Sequence, residues 1–141
     1  MASEPTSVPV FFYGLFMDPE VLRQKGADPK GFRLASVEGY GLRIGERATL
    51  EPSEGEKVFG SVMSLSAKEL ELLYAEESVA DYVPVRLTAM DLENGRFEAV
   101  SYILPMEMLS GRNPEYAKAL LTVAEKIGLP DSHLKQIESF G

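Results

Sequence analysis

Glu77 is the carboxylate that spacing singles out. In the run beginning at Ala67, residues Leu70, Leu73, Tyr74 and Glu77 fall at i, i+3, i+4 and i+7, which is one face of a 3.6-residue helix. The neighbouring acids Glu69, Glu71 and Glu76 lie largely off that stripe and are easily solvated. If the helix runs to about Glu77, partial burial and the negative helix end both raise its pKa. A carboxyl poised nearer neutrality can take up a proton and return it within one reaction. A helix ending a residue or two earlier leaves Glu77 as a solvated carboxylate instead. The chain has no Cys and a single His, so thiolate nucleophiles, disulfides and imidazole-rich metal centres are excluded. Chemistry carried by Asp or Glu alone stays open.

The second feature is Tyr13-Gly14-Leu15-Phe16. It follows the β-branched and aromatic run Val8 to Phe12 and precedes Asp18-Pro19, an N-cap followed by a proline at the first helical position. A turn there presents successive backbone amides beside a helix N-terminus, an arrangement that holds a carboxylate or a developing oxyanion without a basic side chain. Gly14 permits close backbone approach. An ordinary turn with Leu15 and Phe16 plugging the core fits the same residues. The repeated glycines and the Lys-Ser/Thr ending of a phosphate-binding loop are missing.

The remaining elements have to position these two. Val10 to Phe12 reads as a strand buried on both faces because it does not alternate. Val21 and Leu22 face inward on a short helix ended by Gly26. Residues 33–63 read as antiparallel sheet, with Glu51 to Glu56 a turn or surface loop by composition. Ser66 and Glu69 form a capping box, with Leu65 stapled against Leu70. Val83 to Ala89 alternates as a half-buried strand, with Pro84 marking an edge or bulge. Asn94-Gly95 signals a hairpin returning through Phe97 to Leu104. Asn113-Pro114 starts a helix stopped near Gly128 and Pro130, and a last short helix begins near Asp131 or Ser132. This order predicts an α+β domain, a small mixed barrel or strongly curved mixed sheet flanked by helices. A flexible lead over 1–7 and one domain over 8–141 follow.

Taken together, these segments resemble the gamma-glutamylcyclotransferase-like family. Its members open with a strand and a Tyr-Gly-Ser/Thr-Leu-like loop, matched by Tyr13 to Phe16. They continue to a Leu-Asp-x-x-Glu-Gly-like segment and then a Tyr, matched by Leu73-Tyr74-Ala75-Glu76-Glu77-Ser78 and Tyr82. Ala48 to Pro52, Gly55 to Gly60, Pro114, Tyr116 and Gly128-Leu129-Pro130 extend the likeness over most of 8–139. The departures are Leu15 and Phe16 in the loop, Tyr74 for Asp and Ser78 for Gly. The resemblance implies a γ-glutamyl donor whose α-amine attacks its own γ-carbonyl, giving 5-oxoproline and a released amine. It implies Glu77 as the acid/base, the amides of Tyr13, Gly14, Leu15 and Phe16 as the glutamyl loop, and Tyr13 or Tyr82 positioning the donor. No metal or organic cofactor is implied. A non-catalytic binding or interaction domain on the same fold is the alternative, motivated by the departures.

Composition narrows the partners. The 141 residues carry 22 acidic against 14 basic side chains, a net charge of -8, which disfavours a nucleic-acid partner. No apolar stretch reaches membrane-spanning length and no signal-peptide pattern opens the chain, so a cytoplasmic protein without membrane contact is expected. The apolar tail suits packing within one subunit or a homodimer. Arg43 and Arg47 are expected in solvated ion pairs. His133 belongs to surface or helix-end packing, and Met106 and Met108 to a packed connecting segment.

Overall fold

A computed structural model describes residues 7–75, 81–91 and 95–139. Five strands close into a barrel: β1 (Ser7–Phe12), β2 (Lys30–Ile44), β3 (Ala48–Ser66), β4 (Val83–Asp91) and β5 (Arg96–Ile103). Their order around the barrel is β1-β3-β2-β4-β5. All neighbours are antiparallel except β1 and β5, which run parallel and complete the closure. The helices are α1 (Pro19–Gln24), α2 (Ala67–Leu73), α3 (Pro114–Ile127) and α4 (Asp131–Glu138). The architecture is the mixed barrel with flanking helices that the sequence predicts, and β1 begins at Ser7, three residues before the expected start at Val10.

Strand β1 is the wall on which the functional loop hangs. Val10, Phe11 and Phe12 are all buried, which explains their unbroken apolar run. Two buried hydroxyls tie this region to its surroundings. Ser101 donates to the Phe11 carbonyl at 2.9 Å, and Ser61 donates to the Met17 carbonyl at 2.8 Å. Each bond satisfies an inward-pointing main-chain oxygen that would otherwise carry a desolvation cost.

The caps read from sequence form as expected. Asp18 accepts from the Glu20 amide, Ser66 and Glu69 exchange both bonds of the capping box, and Asn113 accepts from the Tyr116 amide. Gly128 ends α3 in the left-handed conformation at φ 89. At Pro84, β4 pairs only with β5, because its pairing with β2 is confined to Met90 and Asp91. The missing proline N–H therefore costs no ladder bond there. Asn94 lies outside the described residues, while Asp91 and Gly95 hydrogen-bond across that hairpin end.

Four expectations need correction. Glu51 to Glu56 is not a free loop but part of β3. Tyr40 faces Pro52 and Glu38 faces Lys57, so residues 53–56 form an excursion opposite Gly39 within a continuing hairpin. The turn signals of this stretch produced a bulge because the flanking strands pair on both sides of it. Helix α2 stops at Leu73 rather than near Glu77; Tyr74 leaves helical geometry and the Ala75 amide donates to the Leu72 carbonyl three residues back, at 3.4 Å. Val21 is only half-buried, and Leu22 alone is fully enclosed on α1. Met106 and Met108 sit on a short 3-10 turn, each more than a third exposed, and so do not pack their segment.

His133 does pack a helix end, but in the interior rather than at the surface. It is 2% exposed, its ring meets Phe59 edge-on at 5.7 Å, and neither ring nitrogen has a partner among the described residues. Burial pushes its pKa from 6.5 down to about 4. The folded state therefore favours the neutral ring. That contribution to stability is complete above pH 6.5 and is lost as pH falls toward 4, by about 3 kcal/mol. His133→Leu is expected to flatten the urea-derived stability profile across that window and to cost nothing at pH 7. A profile unchanged between pH 6.5 and 4 would show that the ring is not titrating in place.

Candidate active site at the barrel mouth

The segment after β1 turns through a 3-10 helix at Leu15–Met17 and then enters α1. Its internal main-chain bonds run from Met17 N–H to Gly14 O and from Asp18 N–H to Leu15 O. The amides of Gly14 and Phe16 are left with no main-chain acceptor among the described residues. The phenol oxygen of Tyr116 reaches over from α3 to this turn and settles beside Gly14. A Cβ on residue 14 would lie 2.8 Å from that oxygen. Glycine here lets a distant hydroxyl settle onto the loop. Lys126 of the same helix bonds the buried Asp18 carboxylate at 2.9 Å, so α3 clamps the loop at two points.

This loop lines a cavity of about 360 Å³. Five of the six tyrosines in the chain surround it: Tyr13, Tyr74, Tyr82, Tyr102 and Tyr116. Tyr74 stacks on Tyr102 with centroids 3.9 Å apart, meets Phe16 edge-on at 5.9 Å and lies 6.5 Å from Tyr82. The rim carries Lys25, Glu46 and Arg47. Volume, aromatic lining and a few polar groups are those of a small-molecule site.

The phenols differ in what they can offer. Tyr13 donates to the Tyr102 carbonyl at 2.7 Å, and Tyr82 donates to the Ala48 carbonyl at 2.5 Å. Their protons are committed, so toward a ligand these two hydroxyls accept. Tyr116 differs: its hydroxyl has no acceptor among the described residues, so its proton remains to be donated. Burial raises Tyr82 to about 12 and pushes Tyr13, Tyr74 and Tyr116 up as well. At neutral pH all four are uncharged hydrogen-bonding groups rather than bases.

The structure thus brings Tyr13, Gly14, Leu15, Phe16 and Tyr82 to one cavity. Glu77 lies outside the described residues. The helix whose apolar face and negative end were expected to carry Glu77 ends at Leu73. The described residues flanking its segment, Tyr74 and Tyr82, both line the cavity. Arg43 pairs with Glu51 and Glu56 as expected. Arg47 also pairs, with Asp81 at 3.3 Å, yet it lines the cavity with its guanidinium 6.0 Å from the Tyr82 ring centre. Tyr102, Tyr116 and Glu46 were not legible as site residues, because each reaches the mouth from an element remote in sequence, and Lys25, at the end of α1, carried no local signal.

A family model described as gamma-glutamyl cyclotransferase, AIG2-like, matches residues 10–120. The chain belongs to that family. Its fold agrees. An uncharacterized human protein, loc79017, superposes with a TM-score of 0.83 at 22% identity, covering 98% of this chain and 89% of that one. A gamma-glutamyl cyclotransferase superposes at 0.80 with 20% identity, covering 96% and 89%. YkqA from Bacillus subtilis reaches 0.76 at 19% identity, covering 95% of this chain but 54% of YkqA. No curated protein sequence is significantly similar to the chain. None of the described helices is long and apolar enough to cross a membrane. Among the described residues no group of His, Asp and Glu is arranged to hold a metal ion.

Proposed function

We propose that the protein cleaves a γ-glutamyl amide by intramolecular cyclisation, releasing 5-oxoproline and an amine, with Glu77 as the acid/base. The observation that carries this reading is the aromatic-lined cavity whose loop offers amides without a main-chain acceptor beside proton-donating and proton-accepting phenols. A γ-glutamyl group brings complementary chemistry: a carboxylate, an amine and a carbonyl within one short chain. The amides of Gly14 and Phe16 and the Tyr116 hydroxyl are donors suited to its carboxylate or carbonyl oxygen. The lone pairs of Tyr13 and Tyr82 suit its nitrogen.

The nucleophile is tethered to the electrophile, so folding the donor into a five-membered reactive pose supplies much of the acceleration. The α-amine nitrogen forms a bond to the γ-carbon as Glu77 takes its proton. The carbonyl oxygen gains charge that the loop amides stabilise. Collapse then breaks the bond to the departing nitrogen, which receives the proton held by Glu77. The support for Glu77 is the family's Leu-Asp-x-x-Glu pattern together with its place in sequence between two cavity-lining tyrosines.

The test is a panel of γ-glutamyl amines and γ-glutamyl dipeptides incubated with the folded protein and assayed for 5-oxoproline. Product from at least one donor, in amounts equal to the amine released, is expected. A folded protein inert across the panel would leave a binding domain as the reading.

A further inference from the structure

The amide-bearing turn is joined to α3 by an ion pair that is buried on one side only. Asp18 closes the 3-10 turn and caps α1, and its side chain is 7% exposed. One carboxylate oxygen accepts from the Glu20 amide at 3.0 Å. The other meets the Lys126 ammonium at 2.9 Å, while the lysine side chain remains 55% exposed. A carboxylate placed in this way depends on its cation, because a buried charge stripped of its partner is strongly destabilising.

The turn lies between this pair and the barrel. On the barrel side, the Ser61 hydroxyl of β3 holds the Met17 carbonyl. On the other side, Tyr116 and Lys126 meet positions 14 and 18, the two ends of the turn. Those two residues are separated by about 15 Å along the axis of α3. The helix therefore runs beside the turn, and its buried Ala117, Leu120 and Ala124 seat it on the core. Neither Asp18 nor Lys126 lines the cavity.

We propose that Asp18 and Lys126 are positioning residues, whose ion pair holds the turn where the Gly14 and Phe16 amides stabilise the reacting carbonyl oxygen. The inference rests on the cyclotransferase reading above and adds two residues that act through the turn. Donors fixed in advance cost no reorganisation as charge develops, so loosening them falls on kcat rather than on KM.

Lys126→Met removes the cation, and Asp18→Asn removes the charge while keeping the cap. Each is expected to lower kcat for 5-oxoproline release about tenfold, with KM within about threefold of the wild type. The double variant should fall no further than either single one, since both break the same link. Lys126→Arg should recover most of the loss. Lys30→Met, which breaks the exposed Lys30–Asp28 pair at 2.7 Å, should leave turnover unchanged. Amide hydrogen exchange reads the same device without substrate. The Met17 and Asp18 amides, which close the turn onto the Gly14 and Leu15 carbonyls, should exchange about tenfold faster in Lys126→Met, with the β2–β3 ladder unaltered. If Lys126→Met does not fold, Asp18→Asn and Lys126→Arg decide by the same two measurements. Single variants with a lowered thermal midpoint but unchanged kcat overturn the inference, as does a double variant whose losses multiply to about a hundredfold. A wild type inert across the whole donor panel overturns cyclisation instead. The exchange rates then decide whether the pair holds the turn, and unchanged rates overturn that as well.

Discussion

Glu77→Gln is expected to lower 5-oxoproline formation by about 10²- to 10⁴-fold, the usual contribution of a positioned acid/base, while leaving the thermal midpoint unchanged. The substitution keeps the shape of the side chain and removes its ability to exchange a proton. Other groups at the cavity are poorly suited to take over. Its phenols are held protonated by burial, with Tyr82 raised to about 12 and Tyr13, Tyr74 and Tyr116 also raised. Lys25 and Arg47 carry the wrong charge for a resting base. Among the described residues, the carboxylate that lines the cavity is Glu46, which is exposed at the rim. Glu46→Gln is therefore the informative comparison. Loss of turnover in that variant, with Glu77→Gln fully active, would transfer the role to Glu46 and remove Glu77 from the mechanism.

The legibility of the molecule in its sequence followed the range of the forces involved. Asp18-Pro19, the Ser66/Glu69 capping box and Asn113-Pro114 act within four residues, and all three appear where they were read. The β1 strand was legible because burial on both faces leaves an unbroken apolar run. The end of α2 was not. Its apolar periodicity continues beyond Leu73, but tertiary stacking of Tyr74 on Tyr102 coincides with the break in the helix. Half the site was visible as the Tyr13–Phe16 loop. The other half is assembled by contacts such as Tyr116 to Gly14 and Tyr13 to Tyr102, across about 90 to 100 residues. A single aromatic in a helix or strand reads as core wherever it sits, so Tyr102 and Tyr116 gave no local signal.

Gly60→Ala is expected to be the most damaging small substitution in the barrel, and through it the dependence of the loop on β3 can be measured. A Cβ at residue 60 would lie 2.1 Å from the Phe12 carbonyl oxygen and 3.1 Å from the Phe11 ring. The first contact is with backbone, so no rotamer change relieves it. Phe12 is the last residue of β1 and is paired in register with Ser61, next to Gly60. Strand β1 would have to move by about an ångström, and Tyr13 to Phe16 follow directly from it. Overpacking of this kind costs about 3 kcal/mol, a fall in thermal midpoint of about 10 °C for a chain of this size. Turnover should fall further than the folded fraction, because an ångström of misplacement at a reacting centre costs about 10²-fold. Gly55→Ala separates backbone strain from the clash. That glycine has φ 87 with open space around it, so its replacement should cost only about 1–2 kcal/mol and leave turnover per folded molecule intact. Equal stability and equal turnover for Gly60→Ala and the wild type would mean that the close approach of β1 to β3 does not hold the loop in place.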